Sequence, residues 1–129
     1  MATLQRDIRI ATAPDAVWAL VGDPGRLAEW WPVASCRMEG STRWVGLATG
    51  LVFEEEILLV DPERRRLQYS IVNNPLIRDH LATVDVIADG AGSTVVYETT
   101  CLPDVLALVN SGASGAALRE AKRILEADA

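Results

Sequence analysis

Residues 8–32 read IRIATAPDAVWALVGDPGRLAEWWP. The first three close an alternating segment, 3–11. In it Leu4, Arg6, Ile8 and Ile10 share one face, and Gln5, Asp7 and Arg9 share the other. That is a half-buried strand with one charge, Arg6, in its apolar row. Pro14 follows Thr12-Ala13 and suits a first helical turn. Val17, Trp18, Leu20 and Val21 supply a helical apolar stripe, and Gly22 supplies a stop. Asp23-Pro24 repeats the cap-plus-proline start. It opens a second short helix over about 24–30, carrying Leu27 and Trp30, which Pro32 ends.

Working outward, the period becomes two from Val33 onward. Strands are expected near 33–39, 42–48, 50–60, 65–72, 78–88 and 93–101. Glu39-Gly40-Ser41, Ala48-Thr49-Gly50 and Asp89-Gly90-Ala91-Gly92 mark tight hairpins, and Asp61-Pro62-Glu63-Arg64 marks a type I turn. Asn73-Asn74-Pro75 is a longer break. Strands joined this way form an antiparallel meander. Residues 103–127 read as a final helix with a stripe of Leu106, Val109, Ala113, Ala117, Ala121 and Ile124. Gly112 and Gly115 weaken its middle, so a bend, mobility or interruption is expected there.

Composition narrows the function classes. The 129 residues fit one domain, 1–129, without linker or repeat. Half are hydrophobic, mostly aliphatic, with four Trp, two Tyr and one Phe. The net charge of −6 disfavours nucleic acid and anionic membrane surfaces as partners. No apolar run approaches the ~20 residues of a membrane span, and the N-terminus has no signal-peptide core. Cys36 and Cys101 form no CxxC pair, and His80 is the single histidine. No metal site and no cofactor are therefore expected, and the chain reads as a reduced cytoplasmic protein.

The order of strand, two helices, six strands and long helix resembles the helix-grip fold of the START-related, pollen-allergen-like superfamily. Three stretches carry the resemblance: residues 8–32, FEEEILLVDPERRRLQYSIV at 53–72, and ADGAGSTVVYETT at 88–100. They cover nearly the whole chain in the right order. The sequence looks most like the bacterial polyketide cyclase/dehydrase-like members (SRPBCC). The resemblance implies an α+β fold: a seven-stranded curved antiparallel sheet, two short helices and a long C-terminal helix. It also implies a hydrophobic ligand held between the sheet and the last helix, with catalysis in some members.

Alternation then orients the side chains. On 50–60, Leu51, Phe53, Ile57 and Leu59 share a face with Glu55; on 42–48, Arg43 shares its face with Val45 and Leu47. Counting back from Thr49 sets Arg43 opposite Glu55, so an ion pair is expected in an apolar row. It serves either to fix register or to do chemistry, with Arg43 holding an oxyanion and Glu55 orienting it or acting as base. Tyr69, Tyr97, Val84 and His80 also point inward. Tyr97 matches an inward aromatic position of the superfamily. Both tyrosines admit a plain core reading, and His80 a rim reading. The candidate catalytic set is Arg43, Glu55 and Tyr69. The candidate ligand-binding set is Phe53, Ile57, His80, Val84, Tyr97, Leu106, Val109, Ala113 and Ala117.

Arg64-Arg65-Arg66 reads as a solvated hairpin tip, and exposed Trp31 with outward Trp44 as a homodimer patch. Three functions remain open. The first is binding of a small polyketide-, lipid- or isoprenoid-like molecule. The second is a cyclase/aromatase/dehydratase using Arg, Tyr and Glu groups. The third is a partner-binding, co-chaperone-like module. Scarcity of His and Cys ranks binding first.

Overall fold

Seven antiparallel strands form one sheet, and a single long helix lies against it. The computed structural model describes residues 2–127. The elements are β1 (Ala2–Ile10), α1 (Pro14–Val21), a 3-10 helix (Pro24–Glu29), β2 (Ser35–Glu39), β3 (Thr42–Gly46), β4 (Val52–Asp61), β5 (Arg66–Val72), β6 (Arg78–Asp89), β7 (Gly92–Leu102) and α2 (Asp104–Glu126). The strand order is β1-β7-β6-β5-β4-β3-β2. Consecutive hairpins build β2 to β7, and β1 returns to pair with β7. The expected α+β helix-grip architecture is the one observed.

The local signals act as their chemistry dictates. Asp23 caps the second helix by accepting from the Gly25 N–H at 2.9 Å. That helix is one short 3-10 segment ending at Glu29, because Pro32 leaves no room to extend it. Gly40, Gly50 and Gly90 take positive φ in the hairpin turns.

The core fills the space between sheet and helices. Ile10, Val17, Leu20, Trp30, Val84, Val95, Tyr97 and Leu118 are among its buried members. Strict alternation fails on β4. The register shifts between Ile57 and Leu59, and Leu58 and Leu59 emerge exposed, while Leu51 lies in the turn at 62% exposure. An extra residue in one strand of a pair rotates everything beyond it.

Helix α2 departs from expectation twice. It runs unbroken for 23 residues through both glycines. Its seam onto β1 and β7 is Ala107, Ser111, Ser114, Ala117, Leu118 and Ala121. The expected stripe therefore holds only in the second half. Val109 is 63% exposed, and Leu106 and Ala113 are half-buried. Small residues won over branched ones because they let the helix approach the sheet. Their hydroxyls are satisfied: Ser114 Oγ donates to the Asn110 carbonyl at 3.0 Å, and Ser111 Oγ accepts from Arg6 Nε at 3.2 Å. That second bond explains the charge in the apolar row of β1.

The arginine tip is solvated at Arg64, as expected, while Arg65 bonds Asp15 at 2.8 Å and Arg66 bonds Asp85 at 2.8 Å. One surface reading changes. Trp31 and Trp44 do not form one patch. Trp31 packs edge-on against Trp30 and Tyr97, whereas Trp44 lies beneath the Arg37 guanidinium on the outer sheet face.

Candidate functional site

Strands β3 and β4 set Arg43 directly across from Glu55. Arg43 Nε donates to Glu55 Oε1 at 2.7 Å, and Nη2 stands 2.6 Å from the same oxygen. Nη1 donates to the Pro24 carbonyl at 3.1 Å, tying the pair to the 3-10 helix. The guanidinium carbon lies 4.5 Å from the centre of the Tyr69 ring. Arg43 is fully buried and Glu55 nearly so. Burial raises the Glu55 carboxyl above its ordinary value, and attraction to Arg43 works against that rise. Burial lowers the Arg43 value, but Glu55 together with the Tyr69 and Tyr97 phenols more than offsets it, so the net shift is upward and the guanidinium stays charged.

Strands β5 and β7 bring Tyr69 and Tyr97 together, and their hydroxyls hydrogen-bond to one another. Burial pushes both phenols above the usual tyrosine range. Beside them on β6, His80 is buried, with its ring centre 5.8 Å from that of Tyr69. The Ile71 N–H donates to His80 Nδ1 at 2.9 Å. Nδ1 therefore carries no proton, and the neutral ring holds its proton on Nε2. Burial lowers the His80 value to about 4. Nε2 is buried without a partner.

A partly open cavity of about 80 Å³ adjoins the ion pair. Leu27, Trp31, Val45, Phe53 and Ile71 give it apolar walls, and Glu55, Tyr69 and Asn110 give it polar ones. Asn110 Oδ1 and the Trp31 indole Nε1 are both buried with no partner. A larger open groove of about 360 Å³ is lined by Glu29, Trp30, Trp31, Pro32, Ala116 and Glu120. Trp31 belongs to both walls. Among the described residues no group of three or more His, Cys, Asp or Glu side chains is placed to hold a metal ion. None of the described helices is long and apolar enough to cross a membrane.

The arrangement of sheet, ion pair and gripping helix has a match in sequence as well. The polyketide cyclase/dehydrase and lipid transport family matches residues 1–127. The chain belongs to this family. Solved structures agree on the fold. The protein XoxI from Bacillus cereus is 23% identical, with a TM-score of 0.91, covering 100% of this chain and 99% of that one. A protein from Thermobifida fusca is 29% identical, with a TM-score of 0.78 and coverage of 98% and 96%. A START superfamily protein from Mycobacterium smegmatis is 10% identical, with a TM-score of 0.82 and coverage of 98% and 99%. No protein of curated function matches the chain.

Within this polyketide cyclase/dehydrase and lipid transport fold, the expected site residues divide. Arg43, Glu55, Tyr69 and Tyr97 converge, and Phe53, Glu55 and Tyr69 reach the cavity. Val84, Tyr97 and Ala117 are locked in the closed core, with Ile57 packed against it. His80 lies beside Tyr69 but outside the cavity wall, and Leu106, Val109 and Ala113 of α2 also lie outside it. Sequence reasoning missed Leu27, Trp31, Ile71 and Asn110 as wall residues. Ile71 shares the Tyr69 face and was within reach of the alternation argument. Asn110 was the one amide beside the Gly-Ser stretch. Trp31 lies in an irregular connection, where no period assigns a direction.

Proposed function

We propose that the chain binds a small hydrophobic molecule whose polar end approaches the Arg43–Glu55 pair. The observation that carries this reading is an apolar cavity between the sheet and α2 with Glu55, Tyr69 and Asn110 in its wall. Membership of a family described by polyketide cyclisation, dehydration and lipid transport supports the same class of ligand.

The electrostatics favour a particular head group. Arg43 is already engaged by Glu55 and the Pro24 carbonyl, so its cation is not left for an anionic ligand. The wall instead includes the acidic Glu55 and the amide residue Asn110. A hydroxyl can donate to their oxygens, whereas a carboxylate meets like charge. Polyketide-, isoprenoid- and lipid-derived alcohols or phenols fit that description. Turnover is not part of this reading, because the groups that would move protons are committed to one another. The phenols bond each other and lie above their usual range.

The test is titration of the purified protein with a neutral fluorescent hydrophobic probe, followed by native mass spectrometry. Saturable probe binding, displaced by a long-chain alcohol at one per chain, is expected. A probe-silent protein that retains no alcohol ends the reading.

A further inference from the structure

Two spaces meet at one side chain. The inner cavity, about 80 Å³, is smaller than the roughly 150 Å³ apolar cavity that takes a single benzene. The outer groove, about 360 Å³, falls in the range of roughly 300–1,000 Å³ typical of ligand pockets. Trp31 lines both.

We propose that Trp31 is a displaceable partition, and that the ligand is elongated, its hydroxyl head in the cavity and its apolar tail in the groove. The proposal rests on the hydrophobic-ligand reading above and extends it to the ligand's shape and path.

Several features of Trp31 suit a partition. It sits in the connection between the 3-10 helix and β2, outside regular structure. Its backbone is fixed, with its N–H on the Leu27 carbonyl at 2.9 Å and its carbonyl accepting from Val33 at 2.8 Å. Movement is therefore rotation of the side chain. Its indole Nε1 is buried with no acceptor, so leaving this position breaks no hydrogen bond. Its ring contacts are edge-on, at 6.0 Å to Trp30 and 5.9 Å to Tyr97. Across the groove α2 presents exposed Ala116, which has no bulk to block a tail. Glu29 and Glu120 flank the groove, paired with Arg26 and Arg123.

The experiment measures binding of 1-butanol and 1-decanol by ligand-observed NMR to wild type, Ala116→Trp, Trp31→Ala and Trp31→Phe. Ala116→Trp adds a ring to an exposed helix position and fills the groove without touching the core. It is expected to weaken decanol at least tenfold while butanol changes less than twofold. Trp31→Ala is expected to tighten decanol at least threefold, with Trp31→Phe between it and wild type. In 5-fluorotryptophan-labelled protein, decanol should shift the resonance that Trp31→Phe removes. Decanol binding unchanged by Ala116→Trp, or a wild type that takes only butanol, overturns the elongated path and leaves the hydrophobic-ligand reading standing. A wild type that binds neither alcohol removes that reading, and this proposal with it.

Discussion

Arg43 and Glu55 are cross-strand partners, buried and joined by a 2.7 Å hydrogen bond, and their two charges respond differently to losing each other. Glu55 has an escape, since burial already raises its carboxyl and it can take a proton. Arg43 has none, because a guanidinium does not deprotonate in proteins. Glu55→Gln should therefore cost about 3–5 kcal/mol, and Arg43→Met less. Because its carboxyl is raised, Arg43→Met should recover stability as the pH falls from 7 to 5. The double change Arg43→Met/Glu55→Leu should return to within roughly 2 kcal/mol of wild type. Urea unfolding at both pH values measures all three. Equal losses in the two single variants would contradict the asymmetry.

Each hydroxyl of Tyr69 and Tyr97 has the other as its partner. Tyr69→Phe or Tyr97→Phe leaves one buried hydroxyl alone, at a cost of about 1–3 kcal/mol. Removing both leaves nothing unsatisfied. The double variant should be less destabilised than the two single losses added together. A double-mutant cycle in guanidinium decides it, and strict additivity would refute a shared bond.

His80 makes stability pH-dependent. Its folded value is about 4, below the ordinary 6.5, so the unfolded chain takes the proton first as pH falls. The contribution is complete above pH ~6.5 and is lost as pH falls toward 4, on the order of 3 kcal/mol at most. Protonated Nδ1 would also face the Ile71 N–H, donor against donor. Chemical denaturation from pH 7.5 to 4.5 should show a steeper fall for wild type than for His80→Gln. Parallel curves would exclude the histidine as the cause.

Head-group preference follows from the cavity wall. Carbon-matched decanol and decanoate should differ at least tenfold at pH 7.5, with the alcohol tighter, because Glu55 faces the cavity and Arg43 is engaged. Glu55→Gln should narrow that difference. Competition against a neutral fluorescent probe reads both numbers, and a preference for decanoate would reverse the assignment.

Gly112 lies mid-helix with open space where a Cβ would stand. Gly112→Ala should stabilise by about 0.5–1 kcal/mol, since helical φ/ψ suits alanine and the unfolded chain loses freedom. Gly22→Ala should do the opposite, because its Cβ would overlap the Trp18 ring. Thermal melts of the two variants should move in opposite directions.

Much of this was legible along the chain. Proline-marked helix starts, hairpin glycines and period-two strands are local signals, and they determined the element order and the α+β class. Register was legible where a tight turn fixed it, which is how Arg43 and Glu55 could be set opposite by counting. Tyr69, Tyr97 and Val84 followed from alternation, because the register irregularity on β6 lies between Arg78 and Leu81, before Val84. Three features were decided only by tertiary packing. The bulge after Ile57 turned Leu59 outward, because an extra residue has no local signature. The face of α2 was chosen by closeness to the sheet, so Ser111 and Ser114 are buried while Val109 is not. The cavity itself is what the packing of the 3-10 helix, three strands and α2 leaves unfilled, and a volume bounded by distant segments is written in no single one of them.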